Sequence, residues 1–596
     1  MNYPLLLLGM LLFLRRWSLS RSSSMLGAFL FAFSGFNLLH IQHMNAMAVT
    51  AHLPWLLLAI DIAFRSPCPR SRGLAAATIA LLTGSQLLLG YPQYVYFSGL
   101  AEGAYALLLL WQTRRGLRLF PLALAKGLGL LVGAIQLLPS LEMVERSTRA
   151  HPQPDFNFFF SLHPANLIQP IAPYFYSGGA FHGYLHEMGL YEGALSIVLC
   201  VWLWIRRKEL TAKRSLVVGF ALLGGLSLLL ALGSYGGVYR YWIRIPGLDL
   251  FRCPSRHILL VHLSLSVLSA IAFEDLRARI RAPVRLRGRA VALLLALPLS
   301  SLFVAALALH PKFAPHAGSV GRILFGPALV LLITLLLLGS SRGSRAALYG
   351  LVLVGCVDLA GYGLDHLYRY RPYCTVDTFA RWLPLPPEAT SHRILGADNR
   401  ITLLGYRSAG GYVGLPPQSR LGYGSLPALR LAEIAWKASP DGKGFVPVPD
   451  PLPRVRLVTE CKVSRNLHQD LPTIDIETTA LVDEPLDLDG QTPGGVEILQ
   501  DEPGLLRVQV ESNGRSLLVF SESYHPGWRA AVGERSQAAL PVYGDYIGTV
   551  VEDGEQEITL EFDPSSLRIG RRLTLLGLLL VGLLVGLSLG RSRGAP

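Results

Sequence analysis

ILFGPALVLLITLLLLGS (323–340) and LTLLGLLLVGLLVGLSLG (573–590) each run eighteen residues without a charge. About 20 apolar residues in a helix cross the hydrocarbon core of a bilayer, so these two stretches decide the fold class. Reading outward from them, the chain has 596 residues, of which 51% are hydrophobic and 16% charged, with a mean hydropathy of +0.40. A soluble chain of this size carries roughly a quarter charged residues. The same kind of apolar run recurs near 1–14, 24–40, 44–64, 73–90, 92–112, 119–139, 188–205, 215–233, 257–275, 289–309, 322–340, 345–365 and 573–590. The chain therefore reads as a polytopic α-helical membrane protein with about 12–13 transmembrane helices, the last of them C-terminal.

The formal charge of +14 fits this arrangement better than nucleic-acid binding. No basic run interleaves with aromatics on a soluble segment, and most Lys and Arg residues lie between the apolar runs. If Arg15, Arg16 and Arg21 face the cytoplasm, parity puts 65–72, 114–118, 206–214, 277–289, 342–345 and 591–593 on the same side. Those loops hold 24 Lys and Arg residues against eight on the opposite short loops. Basic residues concentrate in short cytoplasmic loops, so one frame fits the whole list. The last helix is its weak point, because Arg568, Arg571 and Arg572 stand at its outer end.

That frame divides the chain into a multi-helix region over 1–367, an extracytoplasmic region over 368–570, and a final helix with a short cytoplasmic tail over 571–596. The middle region has no spanning run. It has short alternating stretches such as LLRVQVES (505–512) and RSLLVFSES (515–523), bounded by Gly, Pro and Asp-Gly turns. Such patterning predicts an antiparallel β-sandwich. A mixed part around 377–435 includes LPALRLAEIAWKA (426–438), read as helical. The six cysteines show no CxxC pair. Cys374 and Cys461 share the outer region, where a disulfide is open to them.

Charged residues within apolar runs are costly unless paired or facing a wet cavity. Glu102 and Lys126 lie on consecutive helices and are expected to meet, as a structural ion pair or as part of a polar pocket for a lipid headgroup. Asp358 has no evident partner, and Asp61 is expected to be solvated at a helix end. The outer loop 140–187 gathers Glu142, Glu145, Arg146, Arg149, Asp155, His163 and Glu187 among aromatics and prolines. Long loops in compact proteins carry function more often than not. Its carboxylates Glu142, Glu145, Asp155 and Glu187 are candidate general bases towards a sugar hydroxyl, and arginines can clamp phosphate; each is equally well a solvated surface residue. A second outer loop (234–256) leads into Arg252 and Arg256, which with Arg149 are candidate lipid-phosphate ligands, or interfacial anchors beside Tyr241 and Trp242. His182 and His186 have the i,i+4 spacing of a metal pair and are followed by Glu187, but no third ligand stands at a defined spacing, so no metal is expected. Asp487-Leu488-Asp489 mimics a nucleotide-sugar metal motif but falls in a turn of the outer region. No P-loop, GxGxxG unit, GxSxG, HExxH or EF-hand loop is present.

Five stretches together resemble the YfhO-type family of bacterial membrane proteins. They are 26–59 with Ser34-Gly35-Phe36 and Leu53-Pro54-Trp55, Gly90-Tyr91-Pro92-Gln93, Gln136-Leu137-Leu138-Pro139-Ser140 before Glu142, ALGSYGGVYRYWIRIPGLDLFRCPSRHILL (231–260), and LLVFSESYHPGWRAAVGE (517–534) followed by ITLEFDP (558–564). The resemblance implies a GT-C-like core in a bacterial cytoplasmic membrane. It implies transfer of a sugar from a polyprenyl-phosphate donor to an extracytoplasmic envelope glycan such as teichoic acid. No other cofactor is implied, and the partners are membrane lipids, the lipid-linked sugar and the glycan acceptor. Tyr524 and Trp528 of the family-like patch are candidates to stack on acceptor sugars. GT-C enzymes carry an acidic residue in a first outer loop, and this sequence begins downstream of that position, so that role has no residue to fall on. The alternative is a non-catalytic scaffold or lipid-glycan transporter that binds a carrier lipid.

Overall fold

The computed structural model describes residues 2–590 except 151, 153–154, 371–374, 383–384, 387–391, 397–398, 412–413, 419–420, 442–443 and 534. Each of the thirteen apolar runs carries a helix, although the run at 188–205 is helical over its second part only, from Ala194 on. Seven helices among the described residues are long and apolar enough to cross a membrane: Met44–Arg65, Thr211–Ala231, Pro254–Ala278, Gly288–Leu307, Val320–Ser341, Arg345–His366 and Ser565–Gly590. Two bent pairs, Arg21–Ala32 with Gly35–Gln42 and Gly116–Val132 with Ala134–Glu145, would raise the number to nine. Asn2–Arg15 and Ala194–Arg206 are apolar but shorter. Pro69–Leu88 and Pro92–Thr113 have the length, but polar side chains such as Gln86, Gln93 and Glu102 dilute their apolar character. The molecule is a multi-pass membrane protein with a β-rich part and a C-terminal apolar helix. Leu575, Leu579, Leu583 and Leu587 of that last helix are all exposed, a contiguous surface that only hydrocarbon satisfies.

The chain divides into two compact units. One comprises 1–137, 152–372 and 570–596, and the other 138–151 and 373–569. In the helical unit, local chemistry sets the breaks. Ser34 Oγ accepts from Asn37 N and caps the short helix Gly35–Leu39, so the preceding helix stops and the path bends by 43°. Gly35 N donates to Tyr191 O at 2.8 Å, and a side chain at this position would collide with that carbonyl. Gly90, at φ +71°, closes one helix before Pro92 opens the next.

In the β-rich unit, a six-stranded sheet built around Ser516–Phe520 and Tyr546–Val551 faces a five-stranded sheet built around Leu505–Asn513 and Gly554–Phe562. Leu518, Phe520 and Ile547 of the first meet Val508, Val510, Ile558 and Leu560 of the second in one core. The alternation read in LLRVQVES holds, because Leu506, Val508 and Val510 are the buried positions. Leu517 and Val519 point to the other side of their sheet, into a second core with Leu429, Leu431 and Ile434.

Two expectations are corrected. The sandwich is not wholly antiparallel, since Glu460–Val463 pairs in parallel with Thr479–Val482. The stretch 426–438 is a helix only over Leu426–Leu431. Glu433 takes φ +60°, which ends the helix, and Ile434–Ala438 continues as a strand parallel to Arg393–Leu395. Cys461 donates its thiol to Leu486 O at 3.3 Å, and Cys374 lies outside the described residues.

Candidate functional site

The two outer loops of the helical unit interlock. Asn157 Nδ2 donates to the carbonyls of Asp249 and Phe251 at 2.6 and 2.9 Å. Ser234 N donates to Ser161 Oγ at 3.0 Å, Leu162 N to Ala231 O at 2.9 Å, and Ser255 N to Phe160 O at 3.3 Å. Between them opens a cavity of about 640 Å³ lined by Asp155, Phe158, Phe159, Gly233, Ser234 and Arg240. Asp155 precedes a single 3₁₀ turn over Phe156–Phe158. Among the described residues its carboxylate accepts no hydrogen bond, so its lone pairs are available to whatever enters. Arg240 sits on the short helix Tyr239–Trp242, which the glycines of GSYGG release from the preceding span. Arg252 lies beside the same aromatic wall, its guanidinium carbon 6.0 Å from the Phe156 ring and 5.6 Å from that of Phe159. The arrangement offers a carboxylate, a cation and apolar faces to one guest, a combination that suits a polar guest carrying an anionic group.

Behind this loop pair lies a buried ion pair. Arg256 donates from Nε and Nη2 to the two oxygens of Glu187, at 2.9 and 2.5 Å, and from Nη1 to Gln93 Oε1 at 2.7 Å. Gln93 Nε2 in turn donates to the Arg252 carbonyl, so one amide ties the ion pair to the loop beside the cavity. His40 Nε2 and His186 Nε2 each approach Glu187 at 3.9 Å. His40 Nδ1 faces the Phe36 carbonyl at 2.9 Å, which fixes its proton there and turns Nε2 towards the carboxylate. Burial alone would push the Glu187 carboxyl up, but the Arg256 guanidinium overrides it and holds the group down at about 2. Glu187 and Arg256, read from the sequence as a base and a phosphate ligand, thus neutralise each other. Neither is poised for its expected role, and together they brace the loops.

The other candidates are distributed as follows. Glu102 and Lys126 meet at 2.9 Å, and Lys126 also donates to Thr83 Oγ1 at 2.9 Å. Gln86 donates to Ser98 Oγ at 3.1 Å and Ser98 to Glu102 at 3.0 Å, which completes a polar chain through three helices. Replacing Lys126 with Met is expected to lower stability by about 2 kcal/mol, because Glu102 stays buried with only Ser98 to serve it. Denaturant titration in detergent measures the loss, and the partial exposure of Lys126 keeps it below that of a fully buried pair. Asp358 accepts from Tyr191 OH at 2.6 Å and from Ala194 N at 2.9 Å, at the start of helix Ala194–Arg206. Asp61 is not solvated: it is fully buried and held by Arg16 at 2.6 Å, Tyr105 OH at 2.8 Å and Arg65 at 3.4 Å.

In the β-rich unit, Glu142 meets His525 Nε2 at 3.4 Å, accepts from Ser566 Oγ, and lies 3.8 Å from Arg146 Nε. His525 Nδ1 accepts from Gly527 N at 2.9 Å, so the histidine of the family-like patch is oriented by its own turn. Glu145 is exposed and accepts from Gln418 through its carbonyl at 3.2 Å, and the Arg149 amide donates to Ser147 Oγ at 3.2 Å. The Trp528 ring packs on Phe562 at 5.0 Å with its indole N–H donating to Ser523 O at 3.3 Å, and Tyr524 packs beside the same core. Glu142, Glu145 and Arg149 therefore belong to a different unit from Asp155, Glu187, Arg252 and Arg256, although one loop carries most of them in sequence. Among the described residues no group of three or more His, Cys, Asp or Glu side chains is placed to hold a metal ion. Sequence reasoning passed over Arg240. Its signal was the glycine-rich turn that ends three residues upstream, which frees the backbone to present a side chain to the neighbouring loop.

No family model and no curated protein matches the chain. Two solved structures of the arabinofuranosyltransferase AftD from Mycobacteria, one of them a mutant, are similar to it at 12% identity, with TM-scores of 0.39 and 0.37. The matches cover 94% of this chain and 50% and 53% of those chains, so it spans about half their length.

Proposed function

We propose that this membrane protein is a glycosyltransferase that takes a sugar from a polyprenyl-phosphate-linked donor and adds it to an extracytoplasmic envelope glycan. The observation that carries the reading is the cavity of about 640 Å³, in which Asp155 and Arg240 face one space walled by Phe158 and Phe159. The volume suits a sugar with its phosphate. A donor dissolved in the bilayer reaches such a site laterally, between apolar helices, without leaving the membrane. The five stretches that resemble the YfhO-type family support the same reading.

The chemistry follows from the residue types. Asp155 takes the proton of an acceptor hydroxyl as its oxygen attacks the anomeric carbon. The bond from that carbon to the donor phosphate oxygen breaks, and the electron pair leaves with the phosphate. Arg240 stabilises the charge that grows on the leaving group, with Arg252 held at the Phe159 ring of the same wall. Glu187 and Arg256 hold the loops in register. Tyr524 and Trp528 are proposed acceptor contacts in the β-rich unit.

The test is transfer by the full chain reconstituted in vesicles with a radiolabelled polyprenyl-phosphate-linked sugar and extracted envelope glycan. Label should enter the glycan only when both chain and lipid-linked donor are present, and a deletion strain should lack one glycan modification. An unchanged envelope in the deletion strain, together with retention of lipid without transfer, would replace the enzyme with a carrier-lipid-binding scaffold or transporter.

A further inference from the structure

A strongly basic surface of the helical unit lies on two short loops that contribute no residue to the cavity. One joins span Pro254–Ala278 to span Gly288–Leu307, and the other joins Val320–Ser341 to Arg345–His366. The loops are fastened together: Val284 N donates to Ser341 O at 2.9 Å, and Gly343, at φ +99°, lies against Pro283 where a side chain would be crowded. Ile280 and Leu286 turn inward and pack on the helical core, which fixes the direction of their neighbours. Arg281, Arg285, Arg287, Arg289, Arg342 and Arg345 are all exposed.

The six stand apart from the paired arginines that flank the first loop. Arg277 pairs with Glu274 at 2.8 Å, Arg279 with Asp275 at 3.5 Å and Arg206 with Asp275 at 3.2 Å. Among the described residues none of the six has a carboxylate partner. Six cations confined to two tethered loops repel one another, and an anion from outside the chain relieves the repulsion. The loops also join the ends of four apolar helices, so they stand at the depth where lipid headgroups lie. Guanidinium groups bind phosphodiesters through paired hydrogen bonds.

We infer that this double loop is a docking surface for anionic phospholipid headgroups of the surrounding bilayer, with phosphatidylglycerol as the simplest ligand. The fit rests on charge and on placement at the helix ends. It is independent of the sugar-transfer reading, because it involves no residue of the cavity.

The experiment is competitive titration of the detergent-purified full chain with short-chain phosphatidylglycerol and phosphatidylcholine, with bound lipid counted by native mass spectrometry. The wild type should prefer phosphatidylglycerol, and R285Q/R287Q should reduce that preference by about thirtyfold, given the attraction contributed by each of the two basic side chains near an anionic surface. R529Q/R535Q removes the same formal charge from exposed positions of the β-rich unit and should leave the preference intact. Loss of preference in both variants, or none in the wild type, overturns the proposal. Displacement of bound lipid by glycerol phosphate at equal concentration also overturns it, in favour of a site for soluble phosphate.

Discussion

Arg256→Met is expected to destabilise the helical unit by about 3–5 kcal/mol, the usual cost of removing one member of a buried ion pair. The expectation rests on what the guanidinium leaves behind. Glu187 has a side chain only 3% exposed, and it would lose both charge-assisted bonds at once. Gln93 Oε1 would lose its donor, so the amide that reaches the Arg252 carbonyl would no longer be held from both ends. Methionine fills much of the volume, so packing accounts for little of the loss. The double variant Glu187→Leu/Arg256→Met should recover a large part of it, because no charge is then stranded.

The same variant makes a signed prediction about pH. In the wild type, Arg256 holds the Glu187 carboxyl at about 2, below its unfolded value of about 4.3. A depressed carboxyl contributes stability that is present above the unfolded value and is lost as pH falls towards 2. Without Arg256, burial becomes the dominant influence and the carboxyl rises above its unfolded value. Its contribution then changes sign, and acidification through that range should stabilise the variant relative to neutral pH. Unfolding midpoints from pH 7 to pH 3 for the two proteins should therefore converge. Parallel curves would show that Glu187 does not feel Arg256 as the distances require.

How much of this was legible in the sequence depends on how far apart in the chain the interacting parts lie. Each long helix of the helical unit follows from an apolar run, because hydrocarbon length is a local property. The meeting of Glu102 with Lys126 was also legible, since two consecutive antiparallel helices bring them to similar depth. Asp61 was misread because Arg16 and Tyr105 come from other helices, 45 and 44 positions away. Glu187 and Arg256 were each singled out, but their pairing across 69 positions was not. Residue type marks a charge as notable, whereas only the fold says whether another charge has already claimed it. Helix propensity misled at 432–438, where a left-handed Glu433 lets the β-branched and aromatic residues of IAWKA take the strand they favour. Loop 140–187 read as one functional loop, yet its two ends belong to different compact units, which no local pattern could announce.

That division decides which carboxylate to test first. Of the four candidate bases, Glu187 is occupied by Arg256, Glu142 is engaged by His525 and Ser566, and Glu145 is exposed in the β-rich unit. Asp155 alone among them lines the cavity. Asp155→Asn keeps the shape and polarity of the side chain and removes its capacity to take a proton. If the proposed transfer occurs here, turnover should fall by about 10²–10⁴-fold, the contribution of a positioned base, while retention of the lipid-linked donor stays unchanged. Arg240→Gln should behave in the opposite way at low donor, raising KM more than it lowers kcat, because a phosphate ligand acts in binding as well as in the transition state. The two variants together separate the roles, since a merely structural loss would move both parameters in both proteins. Full turnover in Asp155→Asn would mean that the proton leaves by another carboxylate, and the cavity would then be a donor pocket without a base of its own.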